Sequence, residues 1–420
     1  MHHEVALIST IAVGLVYALI AGYFASRLRL PPLVGYLLAG IVVGPFTPGF
    51  VADAKLAPQL AEIGVILLMF GVGLHFSVRD LLAVRRVAVP GALVQVVGTV
   101  ALSYGITRLW GWSNGAGIVL GLALSVASTV VLLRALETQG LLNSLSGRIA
   151  VGWLVVEDLF TVVVLVLLPA LAALLAEQPI AAESANHGGW DLLLSLGLAL
   201  AKLVAFVLFM LLIGSRLLRW LLNQVAATAL RELFTLAVVA AAIGIGFGAS
   251  EGFGLSFALG AFFAGVVVGE CGHGERAAAE LRPLQDVFNA LFFVAIGMLF
   301  DPGILLREPF AELAVVGVIV LGKPAVSFLI VLLLRYPIGT ALIIAAGLAQ
   351  IGEFSFILAE LGIGLHMLPG DAQSLIVAGA LISIALNSFL LRAARGLASR
   401  RVDADTADDA SRVSSKGALH

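Results

Sequence analysis

The stretch VGWLVVEDLFTVVVLVLLP, residues 151–169, carries two adjacent acids in an otherwise apolar run. Its length is most of what a membrane-spanning helix requires, because about 20 apolar residues cross a bilayer. A charged acid at the bilayer centre costs at least about 2.5–3.5 kcal/mol. Glu157 and Asp158 therefore indicate a polar site inside a membrane protein, which the remaining helices must surround.

The composition of the whole chain agrees with this interpretation. Of the 420 residues, 61% are hydrophobic and 12% are charged, whereas soluble domains average about 25% charged residues. We predict an all-α polytopic membrane protein whose thirteen transmembrane helices lie near residues 5–26, 31–48, 57–76, 87–109, 114–136, 148–176, 190–214, 230–249, 253–270, 284–301, 311–334, 338–363 and 372–395. Residues 396–420 contain too few apolar side chains to fold and are expected to form a disordered cytoplasmic tail.

Basic residues are distributed unequally between the connections that join these helices. Alternate connections hold thirteen Lys and Arg residues, and the connections between them hold three. Because basic connections stay in the cytoplasm, we expect the amino terminus outside the cell and the carboxy terminus inside.

Two helices at matching places in the chain are interrupted by polar residues. LALSVASTVVLLRAL, residues 122–136, precedes the acid-bearing helix, and LAQIGEFSFILAE, residues 348–360, follows the helix that contains Lys323. Irregular helices at corresponding positions of two six-helix halves are typical of transporters built from inverted repeats. We therefore predict a site between the halves, with the helix at 190–214 as the linker.

The residues around this site suggest an exchange chemistry. Burial makes an ionised carboxyl costly, so the group can take up a proton near neutral pH, and a cation can replace that proton. Ser125, Ser128 and Thr129 offer hydroxyl oxygens, and an unwound turn frees carbonyl oxygens, which are ligands that monovalent cations prefer. Adjacent helical residues point about 100° apart, so either Asp158 or Glu157 faces the ion and the other faces a neighbouring helix.

Three polar residues of the second half are expected to modulate the site. Lys323, paired with Asp158 or Glu157, either keeps the empty site neutral or forms a permanent structural pair. Glu353 either steadies the crossing of the interrupted helices or serves as a second proton site. Gln350 is the expected polar partner beside it.

Several segments resemble one transporter family. These are PPLVGYLLAGIVVGPFTPGF, LAEIGVILLMFGVGLHFS, ASTVVLLRALE, GWLVVEDL, SFALGAFFAGVVVGE, LFFVAIGMLFDP, LGK and LAQIGEFSFILA. In this order they resemble the Kef-type branch of the monovalent cation:proton antiporter-2 family, most closely its YbaL-type members, over residues 1–395.

The resemblance implies a sodium/proton-antiporter-type fold that works as a homodimer. A panel, about residues 5–76 and 230–301, would form the dimer interface. A core, about residues 87–176 and 311–395, would carry the ion by an elevator-like movement past a hydrophobic barrier. The interrupted helices would cross around residues 128–129 and 350–353.

The resemblance also implies roles for individual residues. Asp158 matches the ion-binding aspartate, which would be the metal ligand for the monovalent cation, and Lys323 matches the lysine that can pair with it. Glu157 departs from the Asn, Gln or Asp of many relatives, so electroneutral and electrogenic exchange both remain open. Kef-type proteins usually add a cytoplasmic nucleotide-binding domain, which the sequence does not contain. We therefore expect no nucleotide or other cofactor within these residues, and a longer chain or a separate regulatory subunit stays open.

The predicted function is K⁺ or Na⁺ exchange for H⁺ across a bacterial inner membrane, in contact with its lipids. A gated potassium efflux channel on the same fold is the alternative, and a symporter for an organic anion is a weaker one. Enzymatic activity is not expected. The single cysteine, Cys271, cannot build a thiolate metal cage, and the net charge of −2 argues against nucleic-acid binding.

Overall fold

The computed structural model describes residues 6–28, 30–47, 56–75, 78–142, 144–175 and 189–417. The regular elements within these ranges are helices. Eight described helical segments are long and apolar enough to cross a membrane, and the apolar helices Pro32–Val43, Gln59–Leu74 and Ile338–Gly347 are shorter. The predicted class, an all-α polytopic membrane protein, agrees with these segments.

The helices follow one another closely along the chain. Those before residue 176 are α1 (Ala6–Arg27), α2 (Pro32–Val43), α3 (Ala57–His75), α4 (Val78–Leu109), α5 (Asn114–Ser125), α6 (Thr129–Thr138) and α7 (Leu145–Leu175). Those after residue 188 are α8 (Gly189–Phe209), α9 (Ser215–Ala227), α10 (Arg231–Phe253), α11 (Phe257–Val268), α12 (Gly274–Met298), α13 (Ile304–Arg307), α14 (Pro309–Gly317), α15 (Lys323–Leu333), α16 (Ile338–Gly347), α17 (Glu353–Gly364) and α18 (Asp371–Gly417). Two π-helical turns, Met210–Gly214 and Val318–Gly322, join neighbouring helices without a loop, and Gly269–His273 joins α11 to α12 across a kink at Gly272.

One group of helices, the α3 group, consists of α1–α3 and α10–α12. α3 packs against α11 and α12, and α2 packs against α1 and α12. Glycines let the backbones approach: a Cβ on Gly40 would lie 2.8 Å from the Cα of Gly297, and a Cβ on Gly73 would lie 3.0 Å from the Cα of Gly265. Small residues at helix contacts provide van der Waals packing, which drives helix association in lipid.

A second group of helices, the α4 group, consists of α4–α7 and α14–α18. α4 packs against α5, α7 and α15, while α16 packs against α15 and α18. α8 contacts α7 at one side and α10 at the other, so it lies between the two groups.

Two helices of the α4 group are interrupted, as the polar segments predict. Between α5 and α6 the backbone is extended at Val126 (φ −90°, ψ 128°) and at Ser128 (φ −77°, ψ 121°). Between α16 and α17 it leaves the helix after Gly347 and is extended at Gly352 (φ −123°, ψ −169°). Both interruptions leave backbone groups that other residues must satisfy.

Several helix boundaries differ from the sequence expectation. α12 begins at Gly274 rather than near 284, because Gly272, with φ of 81°, turns the chain at once and the Arg276 guanidinium stacks over the Phe234 ring at 4.1 Å. The expected linker near 190–214 continues through a π-helical turn into α9 and ends at Ala227. The expected helix ends at residues 5, 48, 76 and 176 lie outside the described residues.

The end of the chain also differs from the expectation of a disordered segment at 396–420. The backbone of α18 continues as helix to Gly417. Extending an existing helix adds one hydrogen bond per residue without the cost of a new nucleus, which composition alone does not take into account.

Candidate ion-binding site

The two interrupted helices meet at the side chain of Gln350. Its Oε1 accepts a hydrogen bond from the backbone N–H of Ser128 at 2.9 Å, and its Nε2 donates to the carbonyl oxygen of Ser128 at 3.1 Å. The backbones are so close that a Cβ on Gly352 would lie 2.7 Å from the Cα of Ser128. The side chain of Gln350 therefore ties the second interruption to the first.

Polar side chains satisfy the first interruption. Ser128 caps α6, because its Oγ accepts from the N–H of Val131 at 3.3 Å. Gln95 of α4 donates to the carbonyl of Ser125 at 3.1 Å and accepts from Trp153 at 3.4 Å. The hydroxyl proton of Ser125 is donated to its own helix, at the carbonyl of Leu122, rather than toward the other predicted site residues.

The second interruption is satisfied in a similar way. Lys323 of α15 is fully buried, and its Nζ donates to the carbonyl of Gln350 at 3.0 Å. Asn387 of α18 donates to the carbonyls of Ala346 at 2.8 Å and Gly347 at 3.2 Å. Each unwound segment thus receives side-chain hydrogen bonds from helices on both sides of it in the sequence.

The two adjacent acids of α7 face different partners. Glu157 is 0% exposed, and its Oε2 accepts from the N–H of Ala127 in the first interruption at 2.9 Å. Asp158 is 7% exposed, and its Oδ2 accepts from the hydroxyl of Thr129, the first residue of α6, at 3.0 Å. The other oxygen of each carboxyl is buried and has no hydrogen-bond partner among the described residues.

Lys323 interacts electrostatically with Glu157. The charge of each of these two groups acts on the other, whereas the charges that act on Asp158 are those of Glu353 and Glu157. We therefore expect Lys323 to act with Glu157 rather than with Asp158. No ion pair of 4.0 Å or less forms at Lys323 within the part of the chain that the structure describes.

Glu353 begins α17 beside the crossing. It is 3% exposed and lies in the first turn of α17, next to Gly352, whose backbone approaches that of Ser128. A carboxylate in the first turn of a helix is stabilised by the helix dipole. The structure therefore brings Asp158, Glu157, Thr129, Ser128, Gln350, Glu353 and Lys323 together, with Ser125 turned to its own helix.

An open path leads to Glu353 between the two helix groups. A cavity of about 260 Å³ is lined by Tyr36, Asp286 and Asn289 from the α3 group, and by Arg134 and Glu353 from the α4 group. A second cavity of about 510 Å³ shares four lining residues with the first, Pro31, Pro32, Val131 and Arg134. The two cavities form one funnel from the end of α6 toward the crossing.

Aromatic side chains close the far side of this funnel. Phe356 of α17 contacts Phe292 and Phe293 of α12, with ring centroids 6.4 and 6.3 Å apart. Phe293 also lines the inner cavity. Beyond Glu353, the two helix groups are therefore in direct apolar contact.

Sequence reasoning missed two residues of the site, Gln95 and Asn387. Both are 0% exposed and lie in apolar helices, within ALVQVVGTV (92–100) and LISIALNSFLL (381–391). A buried amide in a spanning helix must have a hydrogen-bond partner. Each of these isolated polar residues therefore indicated an unidentified polar partner elsewhere in the chain. Their partners, which are the carbonyls of the interruptions, are separated from them in sequence.

Comparison with known proteins identifies a matching family and similar transporters. The family described as sodium/hydrogen exchanger, transmembrane, matches residues 15–394. The chain is 54% identical over 390 residues to the putative cation/proton antiporter YbaL of Escherichia coli (strain K12), covering 93% of this chain and 69% of that protein. It is 31% identical over 391 residues to K(+) efflux antiporter 4 of Arabidopsis thaliana, covering 93% and 64%.

A solved structure has the same fold. The sodium proton antiporter MjNhaP1 from Methanocaldococcus jannaschii at pH 8 superimposes with a TM-score of 0.64, covering 95% of this chain and 99% of the other at 18% sequence identity. At this identity the likeness concerns the arrangement of the helices.

Proposed function

The chain belongs to the sodium/hydrogen exchanger family, and from this we propose that it exchanges K⁺ for H⁺ across a bacterial plasma membrane, with Na⁺ as the second candidate. Its likeness to a putative cation/proton antiporter supports the exchange, and its likeness to a K(+) efflux antiporter supports K⁺. The single observation that carries the proposal is Asp158, which has one oxygen bound to Thr129 and one without a partner, beside two interrupted helices.

We assign the exchange to Asp158 because its carboxyl is 7% exposed and faces the hydroxyl of Thr129. Glu157 is 0% exposed and accepts from the backbone N–H of Ala127, and Glu353 begins α17. The free oxygen of Asp158 holds either a proton or, with the hydroxyl oxygens of Thr129 and Ser128, a monovalent cation. Because one carboxyl alternates between these two states, we expect an exchange stoichiometry of one proton per cation.

Alternating access would come from movement of the α4 group as the core against the α3 group as the panel. Thirteen spans fit the helices if α5–α6, α8–α9, α14–α15 and α16–α17 each count as one and the four-residue α13 is not a span. Repeat symmetry is supported by matching contacts: Gln95 and Lys323, each on the fourth span of its six-span half, both donate to a carbonyl beside an interruption. The panel would form a homodimer, as in the resembled family, and the funnel would open to the cytoplasm.

The test is proton flux in sealed liposomes that contain the purified protein and an internal pH dye, with K⁺, Na⁺ or Li⁺ pulsed outside. Wild-type protein moves protons in response to the transported ion, and Asp158→Asn abolishes the response because its amide cannot bind a proton in exchange for a cation. Glu312→Gln is the matched control, since Glu312 is also buried but does not belong to the crossing.

Two outcomes would contradict the proposal. If Asp158→Asn exchanges at the wild-type rate, Asp158 is not the exchange site. If protons stay still while labelled K⁺ equilibrates, the chain works as a potassium channel instead of an exchanger.

A further inference from the structure

The outer cavity of the funnel is lined by basic and neutral polar side chains beside apolar ones. Its volume of about 510 Å³ lies within the range of about 300–1,000 Å³ that is typical of small-molecule sites. Its polar lining consists of Ser26, Arg134, Thr138, Gln139, Ser388 and Arg392. Two arginines and four neutral hydrogen-bonding side chains therefore face this space, and none of its lining residues is acidic.

The arginines retain the capacity to bind an anion. Arg134 forms no hydrogen bond or ion pair of its guanidinium within the described ranges. Arg392 donates through Nε to the carbonyl of Ser388 at 3.1 Å and lies 4.7 Å above the Phe389 ring, so its two terminal nitrogens remain available. Glu137, the acid nearest to them on α6, is exposed and does not line the cavity.

A third arginine stiffens the wall of the cavity. Arg395 of α18 donates to the carbonyl oxygen of Gln139 and, at 3.2 Å, to its Oε1, which ties the end of α6 to α18. Arg134 and Arg392 are thus carried on two helices that are joined beside them.

We propose that this cavity is a binding site for a phosphate-bearing anion, either the headgroup of an anionic lipid or a soluble phosphate compound. Arg134 and Arg392 supply the charge, and paired N–H groups of guanidinium match phosphate oxygens. The hydroxyls of Thr138, Ser26 and Ser388 supply further donors. Binding of the anion requires only this cavity, whether or not the chain exchanges ions.

A bound anion would inhibit exchange. Ser26 and the adjoining Pro31 and Pro32 come from the α1–α2 region of the panel, whereas the arginines come from the core. A ligand that bridges both walls stabilises this conformation relative to one in which they have moved apart. This consequence rests on the proposed function, because it requires the two groups to move during transport.

The binding test uses the full chain in a neutral detergent and inorganic pyrophosphate, titrated by calorimetry at constant ionic strength set with chloride. We expect Arg134→Gln and Arg392→Gln each to weaken binding at least tenfold. Arg216→Gln is the matched control, because Arg216 is an exposed arginine of α9 outside the cavity. Equal weakening in all three variants would mean that pyrophosphate binds through net charge, and would overturn the site.

The second arm identifies the source of the phosphate. Proton flux is measured in liposomes of phosphatidylcholine with and without phosphatidylglycerol, and with and without pyrophosphate on the funnel side. Inhibition by pyrophosphate supports a soluble ligand, and inhibition by phosphatidylglycerol that Arg134→Gln relieves supports a lipid headgroup. Absence of both effects together with absence of calorimetric binding overturns the proposal. Binding without any cation-driven proton flux would instead refute the exchange function and leave the site standing.

Discussion

At the scale of single residues, two neighbouring acids have separate roles because a helix turns by about 100° per residue. Glu157 points to the N–H of Ala127, and Asp158 points to the hydroxyl of Thr129. The first contact holds unwound backbone in place, and the second leaves an oxygen free for a proton or a cation.

Replacing Thr129 by Val removes the hydroxyl beside Asp158 while keeping the shape of the side chain. A hydrogen bond to a charged group contributes about 1.5–3 kcal/mol, so we expect the apparent KM for the cation to rise about tenfold or more. Thr129→Ser keeps the hydroxyl and should stay near the wild-type KM. Cation-dependent proton flux measures both, and equal KM values for the Val and Ser variants would exclude Thr129 as a ligand.

Glu157 and Lys323 should behave as a charge pair. Glu157→Gln keeps an oxygen that accepts from the N–H of Ala127 but leaves the charge of Lys323 buried without a counter-charge. Lys323→Met likewise leaves the charge of Glu157 buried without a counter-charge. Breaking a buried pair from one side costs about 3–5 kcal/mol. Both single variants should melt at lower temperature in detergent than the double variant. If the double variant melts lowest, the two residues contribute independently.

At the scale of elements, side chains from other helices make the interrupted helices stable. Gln95 and Gln350 satisfy groups of the first interruption, and Lys323 and Asn387 satisfy carbonyls of the second. Unsatisfied backbone groups are costly in a membrane, so irregular backbone occurs there only where protein or a water-filled cavity surrounds it. The crossing is therefore a property of the assembled α4 group.

The crossing also depends on close contact between the two backbones. Gly352→Ala places a Cβ 2.7 Å from the Cα of Ser128, which should cost about 1–3 kcal/mol of overpacking and lower both the melting temperature and the rate of exchange. Gly364→Ala, at the other end of α17, meets nothing within 4 Å and serves as the control. If both variants melt like the wild type, the backbones at Gly352 and Ser128 leave room for a Cβ and the crossing does not depend on this glycine.

At the scale of the whole molecule, the funnel ends where the two helix groups touch through aromatic rings. Phe356 of the α4 group meets Phe292 and Phe293 of the α3 group, directly beyond Glu353 on the same helix face. Residues three apart on a helix lie on one face, so the acid and its apolar barrier are adjacent. Coupled exchange requires that this contact stays closed on one side while the funnel is open on the other.

Removing the Phe356 ring should uncouple transport. We expect Phe356→Ala to let protons cross the liposome membrane without a cation pulse, because the apolar contact between the α3 and α4 groups is lost. Phe354→Ala removes a ring of equal size from the same helix that is buried but makes no contact with Phe292 or Phe293 among the described ring pairs. A proton leak of the same size in both variants would indicate general loosening.

The sequence by itself determined the membrane class, the two interruptions and the polar residues that gather there. These features are local: apolar run length reflects bilayer thickness, and a buried charge in such a run reflects a functional site. The same local information did not predict the helix that covers residues 274–284. Gly272, with its positive φ, turns the chain within one residue, and Arg276 stacks on the ring of Phe234, so that helix stands where a loop was expected.

Only the tertiary structure decided which groups are partners. It placed the ammonium of Lys323 on the carbonyl of Gln350, turned the Ser125 hydroxyl into its own helix, and identified Gln95 and Asn387 as hydrogen-bond donors to the interruptions. It also placed Arg134 and Arg392 around one cavity. The hydrogen bond from Arg395 to Gln139, for example, joins residues 256 positions apart. Spacing along the chain does not encode them, because they depend on how whole helices pack.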